Sequence, residues 1–162
     1  MALGIFGPRD AIGIVAAIDG NPYPAEAIVM SKTAEFIQVD LRLLHELIAQ
    51  DPSLGKALLA CMASRVRHLH EKLAILSSRS VAARLASLLI ILVERFGDEL
   101  EDGSVYVPVE LTRKVMAELI ESRIETVIRL LSRWQHDGLI VFGDGGFKLA
   151  DANPFRAMML ES

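Results

Sequence analysis

Apolar residues follow two different rhythms along the chain. Through residues 3–39 they come in short runs, at 12–18, 25–30 and 35–39. Turn chemistry separates the runs: Gly7-Pro8-Arg9-Asp10, Asp19-Gly20-Asn21-Pro22 and Ser31-Lys32. That spacing predicts three or four short β-segments. From Asp40 the period becomes helical. Asp40 can cap a helix carrying Leu43, Leu44, Leu47 and Ile48. Asp51-Pro52 is a second start, a capping carboxylate followed by proline at the first helical position. No Gly or Pro interrupts residues 56–96. Leu58, Met62, Val66 (or Leu69), Leu73 and Leu76 recur at three- and four-residue steps. This is either a seam for a partner helix or the inner face of a core helix. Ser77-Ser78-Arg79-Ser80 breaks the pattern, and Ser80 can cap a further helix that runs through Phe96 to a stop at Gly97.

The last third changes rhythm again. Residues 98–103 read as an acidic connecting loop, and 105–109 alternate as a strand. Thr112 caps a helix over 113–120, Glu121-Ser122 make a tight turn, and a second helix covers 123–137 with Gly138 as its stop. Residues 139–142 and 147–149 form a β-hairpin around Gly143-Asp144-Gly145-Gly146. Strand, helix, short turn, helix and hairpin, in that order, make a winged helix-turn-helix. In that motif the second helix is a probe as wide as the DNA major groove.

Composition narrows the possibilities. A hydrophobic fraction of 52% is far from the disordered regime and implies a real core. The strongest apolar run, residues 85–93, is roughly half the ~20 residues of a membrane span, so a buried helix face is expected. No signal-peptide pattern opens the sequence, and a cytoplasmic location with no membrane partner is expected. The single cysteine, Cys61, excludes an intramolecular disulfide and an all-cysteine metal cluster. His45, His68, His70 and His136 are the remaining metal or haem candidates. His68 and His70 lie on different faces of one helix, so all four are expected to be structural or solvated. No metal site and no cofactor are expected. Neither is an enzyme: there is no catalytic residue set, and the 143–146 glycines join two strands where a phosphate loop would open a helix.

A formal charge of −4 excludes a uniformly basic coat, but the charge is unevenly spread. Residues 64–96 hold six Lys/Arg against two Asp/Glu, while 97–110 hold five Asp/Glu and no base. Residues 111–137 are nearly balanced, five against four, so DNA affinity would need two sites acting together. On the probe helix Val127, Leu130, Leu131 and Trp134 form one apolar stripe. Glu125 and Arg129 lie one turn apart on one polar face. A carboxylate there can accept from cytosine N4, and a guanidinium can pair with guanine O6 and N7. The alternative for the pair is a surface salt bridge. Thr112, Arg113, Arg123 and Thr126, at the helix starts, are candidates for DNA phosphates. Lys148 is either a backbone contact or a solvated wing lysine.

Residues 111–140, LTRKVMAELIESRIETVIRLLSRWQHDGLI, resemble the CRP/FNR family of bacterial transcription regulators. The run Glu125-Thr126-Val127 with Arg129 is the most specific part, and Ile124 before it is more like the FNR branch. The resemblance implies that Glu125 and Arg129 read bases, and that Thr112, Arg113, Arg123 and Thr126 contact the backbone. It implies an α+β fold: a cyclic-nucleotide-type antiparallel β-roll, only partly present here (1–50), a dimerisation helix (51–78) and a winged helix-turn-helix (79–162). A usual member carries about eight roll strands, so roughly its first sixty residues have no counterpart here. The implied partners are double-stranded DNA, a second copy of the chain and RNA polymerase.

The effector site departs from the family. Gly13-Ile14-Val15 and Tyr23-Pro24-Ala25 stand where nucleotide binders place a carboxylate and an arginine. Leu69 and His70 occupy the positions that reach the base. A cyclic phosphate without its arginine is an uncompensated charge, so cyclic AMP binding is not expected. The iron–sulfur sensor of the FNR branch is also absent. Glu121 replaces the usual turn glycine and must accept a left-handed conformation. The rival to a DNA-binding homodimer is an interaction module that heterodimerises with a full-length family member.

Overall fold

The computed structural model describes residues 2–31, 33–78, 80–143 and 145–160. The expected turn at Lys32, break at Arg79 and hairpin tip at Asp144 therefore lie outside the described residues. The chain divides into two units, Ile5–His70 and, with the first four residues, Glu71–Ser162.

The first unit holds three helices, α1 (Ile14–Asp19), α2 (Leu41–Gln50) and most of α3 (Pro52–Ser77). The caps act as their chemistry dictates. The Asp40 carboxylate accepts from the Arg42 and Leu43 amides, and Asp51 accepts from Ser53 at 2.9 Å. The three or four β-segments expected over 3–39 are not formed: among the described residues of this unit there is no strand. Residues 14–19 are helical, between Gly13 and Gly20, both left-handed. A strand is defined by its neighbour, and no described segment offers these runs a ladder. Ala16 and Ala17 also favour helix. The runs at 25–30 and 35–39 leave their apolar side chains in water, Ile37 being 94% exposed. No described residue between 5 and 70 is fully buried.

The second unit has a core. Helix α4 (Val81–Phe96), capped by the Ser80 hydroxyl on the Ala83 amide, buries Ala83, Leu85, Ala86, Leu88, Leu89, Ile90 and Leu92. A helix apolar on nearly every side must be enclosed. Here α7 (Asn153–Leu160), β2 (Val105–Val107), α5 (Arg113–Leu119) and α6 (Ile124–His136) enclose it. The run at 85–93 is thus the buried helix expected, and no described helix is long and apolar enough to cross a membrane.

The four-stranded antiparallel sheet is ordered β1-β2-β4-β3, with β1 Asp98–Glu99, β3 Ile140–Gly143 and β4 Gly146–Leu149. The acidic stretch read as a loop therefore begins as a strand, pairing Asp98 with Tyr106 and Glu99 with Val105. Both β1 residues are exposed, so no alternation of polarity marked them. Gly146 lets β4 approach β2 closely: a Cβ there would sit 2.1 Å from the Val107 carbonyl oxygen. Phe147, Leu149, Val107 and Ile140 close the sheet onto the helices. Helix α7 was not anticipated.

Candidate nucleic-acid interface

Helices α5 and α6 and the turn between them build the site. The Thr112 hydroxyl oxygen accepts from the Val115 amide at 3.2 Å, which starts α5 and places Arg113 at its first residue. The turn is a Schellman closure: the Ser122 amide donates to the Ala117 carbonyl at 2.9 Å and the Glu121 amide to the Glu118 carbonyl at 3.4 Å. Glu121 is the left-handed residue, at φ 50°. The same closure ends α6, where the left-handed position is Gly138 at φ 73° and Leu139 donates to the Trp134 carbonyl. Glu121 thus carries a Cβ penalty that Gly138 does not. Glu121→Gly is expected to raise stability by about 0.5–1 kcal/mol, part of the relief being offset by a looser unfolded chain. Thermal unfolding followed by the fluorescence of Trp134, the sole tryptophan, checks this. A lowered midpoint would show that the turn is unstrained.

Arg123 sits just before α6, and the Thr126 and Val127 amides donate to its carbonyl. Val127, Leu131 and Trp134 are buried on the inner face. The opposite face is open. Arg123, Glu125 and Arg129 are exposed and Thr126 is half-exposed. Among the described residues Glu125 and Arg129 form no ion pair, with each other or with any other group. The surface salt bridge considered for them is not made. Ile124 and Ile128 are also exposed on this helix, 37% and 46%, and flank the pair. Sequence reasoning passed over Ile128, whose signal was an apolar side chain off the inner stripe.

Two basic residues near the hairpin are engaged within the protein. Lys148 of β4 donates to Asp102 at 2.8 Å, so in this structure it is paired within the protein. Lys148, with the Ser104 hydroxyl, holds the Asp102 carboxyl well below the usual carboxylate range. Arg113 lies over the ring of Phe142, its Cζ 3.6 Å from the centroid. Its pKa is lowered by loss of water around the guanidinium.

The effector positions fall elsewhere. Ile14 is the first residue of α1, Tyr23 lies outside any regular element, and Leu69 and His70 are exposed neighbours on α3. Among the described residues no group of three or more His, Cys, Asp or Glu could hold a metal ion.

Comparison with known proteins places this geometry. Residues 83–158 match the model of the Crp-like helix-turn-helix domain. The CRP-like cAMP-activated global transcriptional regulator of Mycobacterium tuberculosis is 32% identical over 138 residues, 85% of this chain and 61% of that protein. The solved structure of FixK2 from Bradyrhizobium japonicum superposes with a TM-score of 0.63 at 20% identity, covering 74% of this chain and 59% of that one. A CRP/FNR family transcriptional regulator from Thermus thermophilus superposes with a TM-score of 0.53 at 26% identity, covering 69% and 56%. The chain thus spans between about two fifths and three fifths of the length of the relatives it matches.

Proposed function

We propose that the chain is a CRP/FNR-type transcription regulator that binds double-stranded DNA sequence-specifically as a homodimer. The observation that carries this reading is α6. Its inner face is locked into the core, and its outer face presents Glu125 and Arg129 uncommitted. In this reading Arg129 donates to guanine and Glu125 accepts from cytosine. Ile124 and Ile128 add apolar surface beside them, suited to a thymine methyl group. Thr112, Arg113, Arg123 and Thr126 set the register through phosphates. Residues 79–162 form the DNA-reading part and 51–78 the dimerisation helix.

Helix α3 supports the second copy. Leu59, Val66 and Leu73 recur every seven residues and are exposed, as is Leu69 between them. That is an a/d seam waiting for a partner helix. It passes through Leu59 rather than the half-buried Leu58. Two copies would bring two probe helices to successive major grooves of a pseudo-palindrome. A full-length family member is the alternative occupant of the same seam, and mixed-size complexes on co-purification would reveal it.

Ile14, Tyr23, Leu69 and His70 supply neither a carboxylate for a ribose nor an arginine for a cyclic phosphate. The proposed regulator therefore does not respond to cyclic AMP, unlike the mycobacterial relative as named, and uses no cofactor. RNA polymerase is its proposed protein partner on DNA. Selection from a random DNA pool at fixed salt tests the reading. A palindromic consensus is expected; salt-sensitive binding with no consensus would overturn it.

A further inference from the structure

One of the proposed phosphate contacts is already held in place by the hairpin. The guanidinium of Arg113 stacks on Phe142. Phe142 is itself braced: it is the cross-strand partner of Phe147, the rings 6.0 Å apart and tilted by 50°, and Phe147 is buried. Support therefore runs from the core through Phe147 to Phe142 and on to Arg113. The arginine borders a hollow of about 170 Å³ shared with Glu110 and Met116. Among the described residues Arg113 has no ion pair, with Glu110 or with any other carboxylate. Lys148, by contrast, is already matched by Asp102.

A stacked ring occupies only the flat face of a guanidinium. The N–H donors lie in the plane of the group and point outward from its edges. An arginine that is partly stripped of water, fixed by a ring and lacking a carboxylate is set up for an oxyanion at those edges. Resting on the DNA reading above, we propose that Phe142 is a positioning residue, which holds the Arg113 guanidinium with its N–H edge turned to a DNA phosphate. Much of the ordering that a free arginine undergoes on binding is then complete beforehand.

The test uses the full chain with two probes, the duplex recovered by selection and a mixed-sequence duplex. Phe142→Leu keeps an apolar side chain and removes the ring; Phe142→Tyr keeps the ring. Phe142→Leu is expected to weaken both duplexes about equally, roughly 3–10-fold, and to lower the salt slope by up to about one per copy of the chain. Phe142→Tyr is expected to bind as the parent does. In an Arg113→Ala background, Phe142→Leu is expected to change nothing more. In the free protein, the Arg113 Nε–H resonance should show a ring-current shift that Phe142→Leu abolishes and Phe142→Tyr preserves. Parent-like binding by Phe142→Leu, a loss that adds fully to that of Arg113→Ala, or a loss confined to the selected duplex would overturn the positioning role while leaving the DNA reading intact. A parent chain that binds neither duplex overturns the DNA reading, and the positioning role with it.

Discussion

Arg129→Ala is expected to remove most of the sequence preference while leaving the fold unchanged. Arg129 is exposed, and among the described residues it makes no ion pair. Truncating such a side chain alters stability by no more than about 0.5 kcal/mol. Its proposed contact is of another order. A bidentate pair to guanine contributes about 1–3 kcal/mol of discrimination, and a symmetric dimer makes the contact twice. Together that is about two to four orders of magnitude in affinity for the selected palindrome. Binding to a mixed-sequence duplex should barely change, because phosphate contacts supply it and they remain. Glu125→Gln should instead relax preference at one cytosine in each half-site. Anisotropy titrations on both duplexes at one salt concentration separate these outcomes. An Arg129→Ala chain that still prefers the palindrome as the parent does would remove Arg129 from base readout.

The features that could be read from sequence are those whose physics is local. Asp40, Ser80 and Thr112 each accept the amide bonds that cap chemistry assigns them. Gly138 takes the left-handed stop, and Glu121 the strained turn expected of a residue in a glycine's place. Each depends on neighbours within five residues. The helix-turn-helix was legible because it is built almost wholly from such signals. The segments at 12–39 were misread because a β-strand depends on a partner that a run of apolar residues does not specify. Strand β1 was missed for the opposite reason: its side chains are polar and exposed, and only its backbone pairs. In the interface, Glu125 and Arg129 could be proposed from a four-residue spacing. The Arg113–Phe142 stack and the Lys148–Asp102 pair join residues that are remote in sequence, and no periodicity encodes them.

Helix α7 lies between these cases, and it supports the second large effect expected. Asp151 accepts from the Asn153 amide at 2.9 Å and Pro154 follows, a start signal of the kind that marked α3. The helix is short, and among its described side chains the buried anchor is Phe155, which is 0% exposed. That ring meets Trp134 edge-on, centroids 5.2 Å apart at 89°, while the helix lies along α4. Phe155→Ala should therefore cost about 3–5 kcal/mol, through lost transfer energy and the cavity left between α4 and α6. Against a typical stability of about 5–15 kcal/mol this removes a large share. For a unit of this size it corresponds to a fall in melting temperature on the order of 20 °C. Trp134 is the only tryptophan and faces the lost ring, so its fluorescence follows this unit directly. Arg156→Ala, one position along, breaks only an exposed 3.8 Å pair with Glu94 and should shift the midpoint by a few degrees at most. The two variants alter neighbouring residues of the same helix, so a difference between them isolates burial from helix loss. If Phe155→Ala melts within a few degrees of the parent, α7 is not part of the core that seats the probe helix. If it melts far earlier yet binds the palindrome normally when cold, α7 sets the stability of α6 without shaping the surface that Arg129 and Glu125 present.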